Sequence, residues 1–370
     1  TTYDVLMGEY RLEAAVVDPV MLEEGARIVA IDASQLSSGV TLVALTSTGK
    51  LHANEVRTKR NLLTNKTTAT VRGGVIELGD FLRGGAPRWL RLAGLGDNAY
   101  LVWPDGRLLR YDVRPVTEPR FAESVLLAEE ADVNVSALDF LIGKTSLVSG
   151  DTSGRVRVWF RTQQPDAGTA DGTSLVLAHE FVDGGASVTS LTTSARSRIV
   201  GAGYGDGSIR LHHVTSGRLV GEVRVDGSAA EQVDMVAFSP KDDALLALAG
   251  SQSYLWRIDA PHPEITLGAI FTPVWYEGAA EPAQVWQSSS GTDDFEPKYG
   301  LYPLIFGTLK ATVYSMLFGV PVALLAAIYS SEMMHARTRA RVKPIIEMMA
   351  SLPSVVLGFL AALVVAPFIE

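Results

Sequence analysis

Residues 301–370 read LYPLIFGTLKATVYSMLFGVPVALLAAIYSSEMMHARTRARVKPIIEMMASLPSVVLGFLAALVVAPFIE, and this stretch decides the architecture of the chain. Its first uncharged run, Ala311 to Tyr329, has nineteen residues. As a helix this run is roughly 29 Å long, which is about the thickness of a bilayer hydrocarbon core. A second uncharged run extends from Met348 to Ile369. Two such runs in succession predict membrane-spanning helices over 302–331 and 351–370 rather than buried helices of a soluble protein.

The segment between the two runs is basic. His335 to Lys343 holds four Lys and Arg side chains and no acidic residue. Short loops rich in Lys and Arg stay in the cytoplasm. The loop contributes +4 to a chain total of −9, so the remaining residues sum to −13. We therefore expect residues 1 to about 300 on the opposite side of the membrane, in the periplasm of a Gram-negative bacterium. Lys310, near the start of the first run, is expected to snorkel toward the surface.

A short amphipathic helix is predicted between the runs. Val342 to Ala350 has apolar residues on one helical face, and Pro344 is expected in the first turn, where a missing N–H costs little. Leu352-Pro353-Ser354 is then expected to interrupt the helical backbone hydrogen bonds before the second run. A short cytoplasmic helix, a break and a span form a geometry suited to docking on a soluble motor.

These residues resemble the PstC-type permease of phosphate ABC importers. The run from Glu347 to Gly358, EMMASLPSVVLG, is similar to that family's version of the EAA loop, although Met348 and Met349 stand where small residues are usual. In the family this loop forms a coupling helix that sits in a groove of the ATPase. The resemblance implies a coupling segment over 335–350 and these coupling residues: Arg341, Lys343, Pro344, Ile345, Glu347, Met348, Ala350, Leu352 and Pro353.

The resemblance also implies partners and a role. Such a subunit translocates inorganic phosphate across the inner membrane with a second, PstA-like permease, PstB-like ATPase subunits and a periplasmic phosphate-binding protein. ATP and Mg²⁺ belong to the ATPase, so no cofactor is expected on this chain. Residues 285–309 are similar to long proteobacterial forms with a large periplasmic insertion, so 263–301 is expected to link that insertion to the membrane. The residues after Thr1 do not have the pattern of a targeting segment, and Glu370 closes an apolar segment. Both observations predict that the sequence is a fragment of the permease.

Residues 1–262 show repeated strands of alternating polarity. Five stretches share an apolar strand, a second strand, a tight turn and a third strand. The turn glycines recur about every 46 to 57 residues, near the repeat length of WD40 and kelch propellers. They are Gly49, Gly106, Gly154 and Gly207, and aromatic Tyr111, Trp159 and Trp256 fall in third strands. The sequence predicts a mainly β, WD40-like propeller of at least five blades before the all-α membrane helices, with a β-sandwich as the rival fold.

Composition excludes several functions. A net charge of −9 argues against nucleic acid as a partner, because that partner requires clustered cations. The chain has no cysteine, hence no disulfide and no thiolate metal site. No GxxxxGK[ST] motif is present, so the ATPase must be a separate chain. No catalytic constellation is recognisable, and we expect a transport subunit rather than an enzyme.

Three polar groups are weighed as ligand sites and not favoured. His212-His213 would face opposite sides of a strand and so cannot chelate one metal ion. Asp293-Asp294 with Glu296 is interpreted as an acidic solvated loop rather than a cation site. Three arginines on third strands could face an anion, but exposed basic positions are the simpler interpretation; they are Arg155, Arg157 and Arg210.

Two other functions remain open at this point. The propeller could be the main functional part, a periplasmic sensor or docking module anchored by the helices. The permease could also carry another oxyanion, such as molybdate. No substrate-contacting residue can be assigned from the sequence.

Overall fold

The computed structural model describes residues 2–4, 9–11, 22–60, 67–82, 85–130, 132–182, 185–225, 231–289 and 296–369. The chain divides into two compact units, Thr1–Tyr302 and Pro303–Glu370. The first unit is mainly β and the second is helical.

The β unit is a series of antiparallel sheets, each built from consecutive strands. A two-stranded sheet pairs β1 (Thr2–Asp4) with β2 (Glu9–Arg11). Sheet 1 contains β3 (Ile28–Leu36), β4 (Gly39–Thr46), β5 (Lys50–Arg60) and β6 (Thr67–Glu77). Sheet 2 contains β7 (Trp89–Leu92), β8 (Asn98–Val102), β9 (Arg107–Asp112) and β10 (Arg120–Leu126).

Three more sheets follow in the same order. Sheet 3 contains β11 (Val135–Phe140), β12 (Leu147–Asp151), β13 (Arg155–Gln163) and β14 (Thr173–Val182). Sheet 4 contains β15 (Val188–Thr193), β16 (Ile199–Tyr204), β17 (Ser208–His213) and β18 (Arg218–Arg224). Sheet 5 has three strands, β19 (Met235–Phe238), β20 (Ala244–Ala249) and β21 (Gln252–Arg257).

The second and third strands of sheets 1 to 4 are joined by tight turns that need glycine. All four predicted turn glycines have positive φ, which L-residues rarely adopt. The angles are +80° at Gly49, +85° at Gly106, +90° at Gly154 and +83° at Gly207. The predicted repeat therefore corresponds to real hairpins, and the aromatic residues Tyr111, Trp159 and Trp256 lie in third strands as expected.

The sheets pack face to face through buried side chains. The first strands of consecutive sheets contact one another at β3 and β7, β11 and β15, and β15 and β19. Between sheets 1 and 2, Leu51, Leu101 and Trp103 belong to one buried cluster. Consecutive four-stranded meanders with adjacent first strands are the arrangement of propeller blades. The described fold is thus mainly β and blade-like, in agreement with the predicted class.

The described residues of 263–301, which are 263–289 and 296–301, pack against the sheets. They contain α1 (Leu267–Phe271), β22 (Trp286–Gln287) and β23 (Lys298–Tyr299). The side chain of Thr266 caps α1 by accepting a hydrogen bond from the N–H of Ala269 at 3.0 Å. Trp275 packs edge-on against Phe160 of sheet 3, with ring centroids 6.4 Å apart. The segment expected to link the insertion to the membrane is therefore part of the β unit, and we call it the strap.

The second unit contains one long helix followed by three shorter ones. The helix α2 (Tyr302–Ile328) continues as a π-helical turn, Tyr329–Met333. It is followed by α3 (Ala336–Ala350), α4 (Ser354–Leu360), a π-helical turn over Ala361–Val365 and α5 (Ala366–Ile369).

Among the described residues, one helix is long and apolar enough to cross a membrane. It covers Tyr302–Met333 and has a mean hydropathy of 2.0. None of its most apolar stretch is buried inside the chain. The apolar helix at Ser354–Phe368 is shorter. The apolar side chains of α2 thus lack cover from the chain itself, as expected of a helix that faces lipid or other helices.

Candidate functional site

The basic segment between the apolar runs is helical. Helix α3 begins at Ala336, so Pro344 lies in its interior. The prediction that Pro344 occupies a first turn is therefore wrong. The alanines and arginines before it favour helix and extend α3 toward the N-terminus. Pro344 then leaves the carbonyl of Ala340 without its usual N–H partner. The predicted break is confirmed, since α3 ends at Ala350 and Pro353 precedes α4.

Arg339 joins α3 to the end of the long helix. Its Nη2 atom donates to the carbonyl oxygens of Ser331 and, at 3.4 Å, Met334. The last carbonyls of a helix have no partners within the helix, and they carry partial negative charge. The guanidinium therefore stabilises the turn between the two helices. This role of Arg339 was not predicted from the sequence, although a cation just beyond an apolar helix end is a recognised signal of such a contact.

A cavity of about 430 Å³ lies between the end of the long helix and α3. Of the predicted coupling residues, Lys343 and Glu347 line it, and they are four positions apart on one helical face. The remaining residues around it are Ser330, Ser331, Met334, Arg339, Val342 and Ile346. The structure therefore brings Lys343 and Glu347 together with Arg339 at one cleft.

The other predicted coupling residues do not line this cavity. They form an exposed surface with a strong apolar component. Ile345 is 52% exposed, Met348 is 62% exposed and Leu352 is 47% exposed. The remaining members, Arg341, Pro344, Ala350 and Pro353, are also exposed. We call Ile345 and Met348, together with Leu352 two residues beyond the end of the helix, the apolar stripe of α3. Neighbouring exposed apolar side chains are typical of a surface that another protein covers.

The paired histidines of sheet 4 are core residues. His212 stacks on Phe181 with centroids 4.4 Å apart, and Nδ1 of His213 lies 2.9 Å from the Ser216 hydroxyl. Burial lowers the pKa of His213 to about 4. Within the described ranges, no cluster of three or more His, Cys, Asp or Glu residues could hold a metal ion.

The third-strand arginines pair with nearby carboxylates, which for Arg157 and Arg210 include carboxylates of their own sheets. Arg157 lies 2.6 Å from Asp151 and 2.9 Å from Glu180. Arg155 pairs with Glu130 at 2.6 Å. Arg210 pairs with Glu222 at 3.3 Å and also lies over a tyrosine ring. These cations are therefore structural ion-pair partners, neither freely solvated nor gathered around an anion site.

Glu296 is buried, which corrects its interpretation as part of a solvated loop. Its side chain accepts a hydrogen bond from Thr215 and lies 3.5 Å from Arg198. Burial raises the pKa of Glu296 to about 7, although Thr215 and Arg198 oppose the shift. The companion residues Asp293 and Asp294 lie outside the described residues. Glu296 thus anchors the strap to sheet 4 instead of binding an external cation.

Comparison with known proteins identifies a permease-like region. The chain is 38% identical over 76 residues to a probable ABC transporter permease protein, YqgH, of Bacillus subtilis, covering 20% of this chain and 25% of that one. It is 38% identical over 71 residues to the phosphate transport system permease protein PstC 1 of Mycobacterium tuberculosis, covering 19% of this chain and 21% of that one. Part of the chain is therefore similar to ABC transporter permeases. The matches span a quarter or less of these relatives.

No protein-family model matches the chain. Among solved structures, it is similar to the Cps50 (Swd1) β-propeller domain of Myceliophteria thermophila, with 17% identity, a TM-score of 0.42 and coverage of 59% of this chain and 67% of that one. A chain of the mitotic checkpoint complex gives 15% identity and a TM-score of 0.39, over 65% of this chain and 63% of that one.

Proposed function

We propose that the chain is part of the permease subunit of an ABC importer and that its cargo is inorganic phosphate. The single observation that carries the proposal is the partial similarity to ABC permeases, two of them phosphate transport proteins. The exposed apolar surface of the long helix supports it, because that surface requires lipid or partner helices.

In this proposal the helical unit lies in the bacterial inner membrane and α3 faces the cytoplasm. The arginines of α3 support this orientation, since basic segments are retained on the cytoplasmic side. Residues 1 to about 300 would then lie in the periplasm. The second span is assigned to Ser354–Phe368 and the residues around it.

The ATPase contact is assigned to α3. A PstB-like ATPase covers the apolar stripe of α3 and Arg341, while Lys343 and Glu347 line the cleft behind it. ATP-driven closure of the ATPase then moves α3, and Arg339 transmits that movement to the end of the long helix through its bonds to the Ser331 and Met334 carbonyls. ATP and Mg²⁺ stay on the ATPase. A PstA-like permease and a periplasmic phosphate-binding protein complete the importer.

The test is ATP-dependent uptake of radiolabelled phosphate by vesicles that contain the full-length protein with its partner permease and ATPase. The proposal expects uptake that depends on ATP and on this subunit. Uptake of molybdate but not phosphate would show that the importer carries another oxyanion instead of phosphate.

A second arm uses full-length protein from which 1–260 has been deleted. Phosphate uptake that persists would assign the β unit to sensing or docking while the permease proposal stands. Absence of any ATP-dependent uptake by the intact assembly would leave the helices as a membrane anchor for the β unit and overturn the permease proposal.

A further inference from the structure

The first strands of sheets 1 to 4 line one cavity of about 500 Å³. Each strand contributes a polar side chain: Asp32 from the middle of β3, Arg91 from β7, Asp139 from β11 and Thr193 from the end of β15. First strands of propeller blades surround the central channel, so a cavity lined by them faces such a channel. The turn after β11 adds Lys144 to the lining.

The two carboxylates in the cavity already hold the sheets together. Oδ1 of Asp32 accepts from its neighbour Ala33 at 2.9 Å, and Oδ2 accepts from the backbone N–H of Leu92 in sheet 2 at 2.7 Å. Asp139 accepts from the N–H of Phe140 at 2.8 Å and from the hydroxyl of Thr193 in sheet 4 at 3.2 Å. Every carboxylate oxygen of this pair thus has a protein donor.

The two cations in the cavity have unused donors. Nη1 of Arg91 makes one long contact, 3.4 Å, with the carbonyl of Leu90. Within the part of the chain that the structure describes, neither Arg91 nor Lys144 has a carboxylate within ion-pair distance. A guanidinium carries five N–H donors and an ammonium carries three. The cavity therefore offers donors to a ligand and has few free acceptors.

Lys144 is held in place by its backbone. It has a φ of +51°, which is uncommon for a residue with a side chain. Its carbonyl oxygen accepts a hydrogen bond from the N–H of Gly94 in the neighbouring sheet at 3.0 Å. A side chain at Gly94 would collide with the carbonyl of Gly143, so the close approach requires glycine. The turn that carries Lys144 is thus fixed before any ligand binds, which lowers the entropic cost of binding.

We propose that this cavity binds a small organic molecule that carries one carboxylate group. Arg91 would hold the carboxylate through its planar pair of N–H donors, and Lys144 would add a third cationic donor. Ile142 is partly exposed in the lining of the same cavity and provides apolar contact for the rest of the molecule, whereas the lining residues Phe140 and Leu141 are 6% and 1% exposed.

Charge in the cavity disfavours a doubly charged ligand more than a singly charged one. Arg91 and Lys144 only balance Asp32 and Asp139, so each negative charge that a ligand brings adds repulsion from the two carboxylates, and phosphate brings two such charges. Burial raises the pKa of the Asp139 carboxyl, while hydrogen bonds from Phe140 and Thr193 and the charge of Arg91 oppose the shift. Inorganic phosphate also lacks the apolar body that the lining would contact.

The test is isothermal titration of the full chain in detergent with benzoate, butyrate, benzamide and inorganic phosphate. Benzamide has the shape of benzoate without its charge. We expect saturable binding of benzoate or butyrate at one site per chain, and no such binding of benzamide or phosphate. Arg91→Gln and Lys144→Gly should each weaken carboxylate binding about tenfold or more, because each removes a charged hydrogen bond.

Two controls separate ligand contact from stability. Lys144→Gly suits the positive φ and should leave the unfolding midpoint unchanged or raised. Arg120→Gln changes an exposed arginine that pairs with Glu118 and does not line the cavity, so it should leave binding unchanged. The proposal would be overturned if neither carboxylate bound, or if phosphate alone bound. It would also be overturned if benzamide bound as tightly as benzoate, or if the Arg91 and Lys144 variants bound carboxylate as tightly as the parent chain.

Discussion

Nη2 of Arg198 lies 2.9 Å from Oε2 of Glu277, and this ion pair joins sheet 4 to the strap. The same guanidinium lies 3.5 Å from Glu296. Glu277 also accepts a hydrogen bond from Ser146 of sheet 3 at 2.5 Å. One arginine therefore serves two buried carboxylates of the strap, and the two carboxylates repel each other when both are charged.

The first prediction concerns the pH dependence of the β unit. The pKa of Glu296 is about 7 in the folded chain against 4.5 for the ordinary side chain. Between these values the folded state holds a proton that the unfolded state has released, so stability falls as pH rises. The slope is at most about 1.4 kcal/mol per pH unit. Burial lowers the pKa of His213 to about 4, so His213 contributes the opposite slope up to its ordinary value of 6.5. The dependence that Glu296 adds is therefore measured against Glu296→Gln: thermal unfolding followed by tryptophan fluorescence should show the midpoint of the parent chain falling relative to that of the variant from pH 5 to pH 7.

Glu296→Gln should flatten that dependence and raise the midpoint at pH 7 and above. Gln keeps the size of the side chain and removes the titrating proton. Arg198 faces Glu296 from sheet 4, and Glu277 and Lys298 face it from the strap. These three charged neighbours are the same in the parent chain and in Glu296→Gln, so a difference between the two comes from residue 296. The matched control is Glu222→Gln, which changes a half-exposed glutamate of sheet 4. An unchanged slope in Glu296→Gln would contradict the assignment.

The second prediction concerns the fully buried Arg110. Its guanidinium lies 2.6 Å from Glu123 and 2.5 Å from Asp171, and it also donates to Asn98 at 2.7 Å. Burial would raise the pKa of Asp171, but hydrogen bonds from Arg110 and Thr173 bring it below its usual range. Arg110→Met leaves these carboxylates without their cation and should lower the free energy of unfolding by about 3 kcal/mol or more.

Chemical denaturation at pH 7 measures the effect of Arg110→Met. The control is Arg114→Met, because Arg114 pairs with Asp112 from a half-exposed position and should cost about 1 kcal/mol or less. An equal loss of unfolding free energy in the two variants would show that the buried ion pairs of Arg110 stabilise the fold no more than the exposed pair of Arg114.

The third prediction compares two glycines with positive φ. A Cβ at Gly154 would clash with the carbonyl oxygen of Ala186, whereas a Cβ at Gly172 would meet nothing within 4 Å. Both substitutions by alanine carry backbone strain of about 1 to 2 kcal/mol, but Gly154→Ala adds the clash. Gly154→Ala should therefore lower the unfolding midpoint clearly more than Gly172→Ala. The reverse order would contradict the described turn.

Periodicity and turn chemistry predicted much of the β unit. The first three strands of each sheet were predicted from the alternation of apolar and polar residues and from turn glycines such as Gly106 and Gly207. The fourth strands of sheets 1 to 4 were missed; β10 and β18, for example, are mostly exposed, and their apolar residues do not alternate regularly with polar ones. Glu296 was misread for a related reason: its partner Arg198 is distant in sequence, and no local pattern reveals a long-range ion pair.

The candidate site followed the same rule. The break at Pro353 is local chemistry and was predicted correctly. The start of α3 was placed too late because Pro344 was given the role of a helix start, whereas the preceding alanines and arginines continue the helix. The contact of Arg339 with the Ser331 carbonyl depends on how two helices meet, which the sequence does not state.

The fourth prediction concerns the apolar stripe of α3. Met348→Asp places a charge in the surface assigned to the ATPase and should weaken association of the ATPase with the membrane subunit by about tenfold or more. Co-purification from detergent at a series of ATPase concentrations measures this. Met333→Asp, at an exposed methionine before α3, is the control. If the Met348→Asp variant associated normally with the ATPase, the apolar stripe of α3 would not be part of the interface.

In the proposed importer, α3 couples ATP hydrolysis to transport, and a substitution of Glu347 tests this coupling. The measurement is ATP-dependent phosphate uptake by vesicles that contain the full-length protein, its partner permease and its ATPase, with Glu347→Ala compared with Glu332→Ala, an exposed glutamate outside the cleft. We predict that Glu347→Ala abolishes uptake while the β unit keeps its unfolding midpoint, and that Glu332→Ala transports normally. Normal uptake by Glu347→Ala in such vesicles would contradict the account.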